Sequence, residues 1–420
     1  MRRRRSLLFD IDWVTIAIYL ALLSIGVYTI YAVEYVPGDS FSFDFGTSYG
    51  KQLVWIGVSL IVGLGLLIID SKFYTVFSYP IYGLVLLLLL IVLFLGVTVS
   101  GSTSWIEIGG FRMQPAEFAK FGTALALAKY LSSLGVQMKQ VKTRLVAFGI
   151  FMLPSLMIIL QGDAGSGLVF SAFVLVLFRE GLPYEFLVLG FLAVVLTILA
   201  LVLNTVLLIG ILILMAAVFI YFQREHRNQV LAILGILVFC CGLIVSVDYA
   251  FNEVLQPHQR DRINVLIGKE HDLKGSAYNL NQSKIAIGSG GIWGKGYLKG
   301  TQTQFNFVPE QSTDFIFSTI GEEHGLIGCS VLIGLYMFLM LRLIFLAERQ
   351  RSRFSRIYGY GVASLLFFHM TVNVGMTIGL APVIGIPFPF ISYGGSAVLS
   401  FTILIFVFLK LDGDRLATLR

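Results

Sequence analysis

Apolar runs of roughly 20 residues, separated by short polar breaks, fill most of this 420-residue chain. They lie near residues 13–33, 52–69, 73–99, 115–131, 144–161, 165–178, 183–203, 205–222, 229–250, 315–341, 357–380 and 390–410. About 20 apolar residues of helix cross a hydrocarbon layer about 30 Å thick. Inside that layer each backbone polar group needs a partner within the chain, which leaves helices or a closed barrel. Unbroken apolar runs, without period-two alternation, select helices. Hydrophobic residues make up 57% and charged residues 13%, whereas soluble domains carry about 25% charge. The expected fold is an all-α integral membrane protein. It is a polytopic helical bundle of about 10–12 transmembrane helices with one large extracytoplasmic loop.

The stretch from residue 183 to 222 would reach about 60 Å as one helix, twice the layer, so it is split near Asn204. That gives twelve crossings. The division expected is a basic cytoplasmic segment (1–12), helices with short loops (13–250), an extracytoplasmic loop (251–314), C-terminal helices (315–411) and a cytoplasmic tail (412–420). Orientation rests on basic short loops: Arg2 to Arg5, then Lys139, Lys142 and Arg144, then Arg224 and Arg227, then Arg349, Arg351, Arg353 and Arg356. All fall on one side if both termini are cytoplasmic. The 251–314 segment holds seven Lys and Arg residues, yet loops of that length escape the rule. It reads as amphipathic helices and loops on the membrane face.

Several function classes drop out. The net charge of +6 comes from residues at span ends, which is topology rather than a nucleic-acid surface. Three cysteines, two of them adjacent at Cys240 and Cys241, give neither a disulfide framework nor a metal spacing. The five histidines show no ligand pattern. The run IAIGSGGIWGKGYLKG lacks the strand and helix that a nucleotide fingerprint requires.

Chemistry concentrates in three clusters facing outward. In GSTSWIEIGGFRMQPAEFAK, residues 101–120, Pro115 suits a helix start, which puts Arg112 before the helix and Glu117 and Lys120 on its first turns. Arg112 and Lys120 read either as two cationic arms for a pyrophosphate or as interfacial side chains with Glu117 as ion-pair partner. In QGDAGSG, Asp163 reads either as an N-cap or as a group positioning substrate or cation. In FNFVPEQSTDFIFSTIGEEHG, residues 305–325, Glu310 and Asp314 flank the mouth of a span. Asp314 is either a helix cap or a catalytic carboxylate. Glu322 and Glu323 lie about 12 Å further along a helix, too far to pair with it, and are assigned to buried partners.

FVPEQSTDFIFSTIGEEHGLIG, FRMQPAEFAK and NVGMTIGLAPVIGIPFPFISYGGSA (residues 373–397), in that order, resemble the signatures of the SEDS family (shape, elongation, division and sporulation). The stretch IGSGGIWGKGYLKGTQTQFNFVPE is closer to the RodA branch than to the FtsW branch. The resemblance implies a peptidoglycan glycosyltransferase that polymerises lipid II at the outer face of the bacterial inner (cytoplasmic) membrane. It implies work in side-wall elongation with a class B penicillin-binding protein as transpeptidase partner. Carried over motif by motif, it puts the catalytic aspartate at Asp314. Substrate-binding residues fall at Arg112, Glu117, Lys120 and Asp163, with Glu310, Ser392 and Tyr393 in the matched motifs.

The chain departs from the pattern in three places. Residues 101–105 lack an arginine before Trp105. Gly162 and Ala164 replace the usual proline and leucine beside Asp163. Twelve spans exceed the usual ten, which implies an extra hairpin between 182 and 249.

The reaction needs a base for the acceptor hydroxyl, for which Asp314 is the candidate, and positive charge for the leaving pyrophosphate. A divalent cation, Mg or Mn, shared between Asp314 and substrate is the alternative use of that carboxylate; no organic cofactor is expected. Two other readings stand beside the polymerase: a flippase for lipid II and a non-enzymatic scaffold.

Overall fold

In the computed structural model, residues 11–36, 45–99, 101–108, 111–254, 257–266 and 276–415 are described. The Arg2 to Arg5 cluster lies outside them, as do residues 267–275 of the expected large loop and the end of the C-terminal tail. The chain begins with α1 (Trp13–Glu34), α2 (Ser48–Ile68), α3 (Ser71–Val76) and α4 (Ser78–Leu95). Three short strands follow, β1 (Val97–Val99), β2 (Ser102–Ile108) and β3 (Phe111–Met113). Next come α5 (Pro115–Leu131), α6 (Val141–Leu160), α7 (Ala164–Leu168) and α8 (Phe173–Arg179). Then come α9 (Tyr184–Val202), α10 (Thr205–Gln223), α11 (Arg227–Tyr249), α12 (Pro257–Leu266), α13 (Ser276–Gly290) and α14 (Thr301–Gln304). The last three are α15 (Ile316–Glu348), α16 (Arg353–Ile378) and α17 (Gly395–Gly413).

Among the described residues, ten helices are long and apolar enough to cross a membrane: α1, α2, α4, α6, α9, α10, α11 with its continuation, α15, α16 and α17. The other two expected runs are shorter. Residues 115–131 form α5, 17 residues long and mostly buried, because alanines and Gly122 let neighbouring helices close around it. The 165–178 run is broken into α7, a tight turn at Val169–Ala172, and α8; its AGSG start has weak helix propensity. The split near Asn204 is observed, with its side chain accepting from the N–H groups of Val206 and Leu207 at the start of α10.

The chain is not wholly helical. Residues 97–113 fold into a small antiparallel sheet in the order β1-β2-β3. Alternation within STSWIEI and its β-branched residues favour a strand there.

Two compact units divide the chain. One comprises Met1–Gly181 with Tyr278–Arg420, the other Leu182–Ala277. The second is built on α9 to α12 and has a small core of Leu196, Ala200, Leu208, Cys240 and Ile244.

In the first unit, ion pairs gather around the end of α15. Glu180 receives Arg353 at 3.1 Å and Arg356 at 3.0 Å, Arg179 pairs with Glu348, and Asp412 pairs with Arg349 and Arg415. The 349–356 basic cluster is thus largely engaged by acids.

The stretch after α13 is locked into α15. Gly325 leaves helical geometry at φ 62° and ψ −159°, which frees backbone groups on both sides of the break. The N–H groups of Lys295 and Gly296 donate to the carbonyls of Glu322 and Glu323, both at 3.0 Å. The N–H groups of Leu326 and Ile327 donate back to Gly291 and Ile292 at 2.9 and 3.2 Å. The Glu322 carboxylate, wholly buried, accepts from Lys295 Nζ at 2.6 Å and from the N–H groups of Gln302 and Thr303, each at 2.9 Å. Glu323 accepts from the Leu298 N–H at 3.0 Å. Both buried acids therefore hold the 295–303 stretch.

This fit leaves no room at Gly294, where an added Cβ would stand 2.1 Å from the Glu323 carbonyl oxygen, in a backbone with φ +79°. Gly294→Ala is expected to cost about 2 kcal/mol or more. It should lower the thermal unfolding midpoint of the detergent-solubilised protein and open residues 291–304 to limited proteolysis.

Candidate active site

Residues 380–394, between α16 and α17, form no regular structure; the second and third sequence clusters meet them, and the first reaches the start of α17 just beyond. Asp314 lies one residue before Phe315, the N-cap of α15. Its main-chain carbonyl accepts from Asn373 Nδ2 at 3.0 Å. Its carboxylate lies against Gly385, where an added Cβ would stand 3.2 Å from Oδ2; with φ +69°, only glycine is at ease there. The preceding carbonyl, of Thr313, accepts from the Ser392 hydroxyl, whose own oxygen accepts from the Phe388 N–H at 2.9 Å. Tyr393 N–H donates to the Ser312 carbonyl at 2.7 Å. Burial, with the Glu34 carboxylate as a lesser cause, pushes the Tyr393 hydroxyl above the usual phenol range. Asp314, Ser392 and Tyr393 are therefore brought together.

Glu310 is exposed and shapes the turn before α15. It holds φ +55°, and its Oε2 accepts from the Thr313 hydroxyl at 3.0 Å.

The first cluster separates Arg112 from Lys120. Pro115 starts α5, and the i, i+3 spacing puts Glu117 and Lys120 on one face. Both are about 2% exposed, and Lys120 Nζ lies 2.7 Å from Glu117 Oε2. The ammonium also meets His369 Nε2 at 3.1 Å and the Phe401 ring at 4.7 Å. Lys120 is therefore not an arm over the outer surface, as the sequence suggested. It is a buried charge, tolerated because Glu117 neutralises it. Arg112 is 55% exposed on β3, directly opposite Glu107 on β2, with Nε 3.3 Å from Oε2. Its guanidinium keeps donors available for an anion.

Asp163 is an N-cap, its Oδ1 accepting from the Ser166 N–H at 2.9 Å. Its other oxygen accepts from Gln114 Nε2 at 2.8 Å, and the Gln114 N–H reaches Ser396 Oγ at 3.3 Å. Gly165 packs on the Ile384 carbonyl. The α7 cap, the β3 end and the start of α17 are thereby joined. Among the described residues, no group of three or more His, Cys, Asp or Glu residues is placed to hold a metal ion.

The family profile of the FtsW, RodA and SpoVE cell cycle proteins matches residues 12–209 and 191–415. The chain belongs to the FtsW/RodA/SpoVE family. Similar proteins include "Peptidoglycan glycosyltransferase RodA" of Treponema pallidum, 31% identical over 93% of this chain and 94% of the relative. "Peptidoglycan glycosyltransferase MrdB" of Escherichia coli K12 is 32% identical over 90% and 88%. Among solved structures, a chain of a peptidoglycan synthase complex that coordinates polymerization and crosslinking matches with a TM-score of 0.71. It is 25% identical, over 96% of this chain and 98% of that one. The Thermus thermophilus rod shape determining protein RodA shares the fold with a TM-score of 0.63 at 24% identity, over 96% and 97% of the two chains.

Of three polar residues that organise the loop in this FtsW/RodA/SpoVE protein, Gln52 and His369 escaped the sequence reading, and Asn373 was read only as the first residue of the third motif. Gln52, buried in α2, donates to the Ser392 carbonyl at 3.3 Å and accepts from the Gly394 N–H at 3.2 Å. Asn373 and His369, both buried in α16, reach the loop at Ile386 and Pro387. The available signal was a polar side chain deep inside an apolar span, which is costly unless used.

Proposed function

We propose that this multi-pass membrane protein is a peptidoglycan glycosyltransferase of the RodA type. It polymerises lipid II at the outer face of the cytoplasmic membrane during cell-wall elongation and rod-shape maintenance. The carrying observation is the convergence of the three motif clusters on residues 384–400, the end of the loop after α16 and the first turns of α17, in a chain whose relatives are named peptidoglycan glycosyltransferases.

The acceptor sugar hydroxyl attacks the anomeric carbon of the donor. A C–O bond forms there, the bond to the lipid pyrophosphate breaks, and the hydroxyl proton passes to Asp314. The carboxylate is held by its main chain at Asn373 and given room by Gly385, so it is placed before the substrate arrives. Arg112 is the group for the departing pyrophosphate, with bidentate geometry suited to phosphate oxygens. Lys120 adds positive charge from beneath, with Glu117 holding it in a water-poor setting where a fixed charge acts strongly. Asp163, through Gln114, steadies the strand that carries Arg112. Ser392 and Tyr393 fix the loop, and Glu310 shapes its approach.

A divalent cation, Mg or Mn, fits only as one shared with substrate, because the described residues offer no multi-donor cluster beside Asp314. When bound, it would supply Lewis-acid stabilisation of the leaving group. Asp314 is the residue that would hold it.

The class B penicillin-binding protein supplies crosslinking as the partner. The name of the synthase-complex neighbour supports that reading. Both termini lie in the cytoplasm on this reading, following the short basic loops.

The test uses purified protein and lipid II in detergent, where no second compartment exists, alone and with the partner, with and without chelator. Glycan chains should lengthen in detergent. No lengthening under any of these conditions, with lipid II transfer in vesicles, would instead establish a flippase.

A further inference from the structure

Two residues of α16, His369 and Asn373, stand one turn apart. Each makes two contacts, one of them to a carbonyl of the loop. Asn373 Nδ2 donates to the Asp314 main-chain carbonyl at 3.0 Å and to the Ile386 carbonyl at 2.8 Å. His369 meets Lys120 Nζ through Nε2 at 3.1 Å and the Pro387 carbonyl through Nδ1, also at 3.1 Å. Successive carbonyls of the loop, 386 and 387, are thus gripped by successive turns of one helix. The same side chains hold the two charged elements of the site from behind.

The tautomer follows from the partners. A lysine ammonium only donates and a carbonyl only accepts, so Nε2 carries the lone pair and Nδ1 carries the proton. The ring is neutral, edge-on to Phe401 at 4.9 Å between centroids, and 1% exposed. Lys120 has its other strong contacts on Glu117, so His369 is what keeps the ammonium from turning wholly toward that carboxylate.

We infer that His369 is a positioning residue: it accepts from Lys120 and, with Asn373, fixes where that ammonium lies relative to Asp314 across the 386–387 segment. This rests on the glycosyltransferase reading above. It predicts an effect on turnover without an effect on substrate affinity, because His369 is enclosed within α5, α16, α17 and the loop.

The two ring nitrogens can be tested separately. A glutamine amide reaches about as far as Nε2 and keeps an acceptor for Lys120, whereas an asparagine amide stops near Nδ1 and serves only Pro387. His369→Gln should polymerise lipid II within about threefold of wild type. His369→Asn and His369→Leu should each lose about 100-fold in kcat with KM changed less than about threefold, the size expected for a misplaced reacting group. Size-exclusion profile and unfolding midpoint are recorded for each; if the leucine variant does not purify folded, the Gln and Asn pair decides.

Wild-type turnover in His369→Asn, or equal losses in Gln and Asn, would overturn the inference, the second leaving only a packing role. Asp314→Asn is run alongside. If it keeps full activity, the reading of the site fails first; if it is inactive while His369→Asn is normal, only the positioning role fails.

Discussion

Asp314→Asn should leave a folded protein that no longer polymerises lipid II, with turnover lower by about 1,000-fold or more. The substitution changes the carboxylate and leaves the main-chain contacts of this turn in place. The Asn373 contact is to the main-chain carbonyl, the Ser392 contact is to Thr313, and Tyr393 bonds to Ser312, so none of them uses the carboxylate. An asparagine is of the same size and still fits against Gly385. What disappears is the ability to accept a proton and to share a cation. Radiolabelled lipid II in detergent, resolved by chain length, gives the rate. The folded state is checked by an unchanged unfolding midpoint and by retained binding of the partner. Residual activity above about one tenth of wild type would remove Asp314 from the role of base, since positioned general bases contribute about 100-fold or more.

The second large effect concerns the buried pair in α5. Lys120→Met alone should destabilise the protein by about 3–5 kcal/mol, because Glu117 would remain buried without its cation. Adding Glu117→Gln removes the second charge and should restore most of that loss, as neutral replacement of a buried pair commonly does. Turnover should not return. Thermal unfolding and polymerisation measured on the single and double variants separate the two contributions. A stable double variant with normal turnover would show the pair to be structural only.

Which parts of this were legible in the sequence follows from which interactions are local. Span positions depend on composition over a window, so most were visible, and the break at Asn204 was forced by length alone. Asp163 as a cap is likewise a local matter of an acid ahead of small residues. The sheet over residues 97–113 was hidden because its strands are short and their pairing depends on register, which a window average does not contain. The broken α15 was hidden too. Gly325 looks like any glycine in a span, and only the complementary backbone of 291–296 makes the break stable. At the site, the motifs contain Asp314, Ser392 and Tyr393, and the fold brings them together. Lys120 was placed on the wrong side of the surface because a cation near a span end normally snorkels. Its burial depends on Glu117 and on His369, and His369 lies in a helix far away in sequence.

The small core of the 182–277 unit has a practical corollary. Seven buried apolar residues among those described, five of them in that core, are few for a unit containing three long apolar helices, and most of its side chains face outward. Helices in such a setting gain little from the hydrophobic effect and hold together through close packing and the surrounding acyl chains. Amphiphile choice is therefore part of this unit's folding environment: chain length and micelle thickness will govern it more than pH or salt, whereas the site-bearing unit carries its own ionic fastenings.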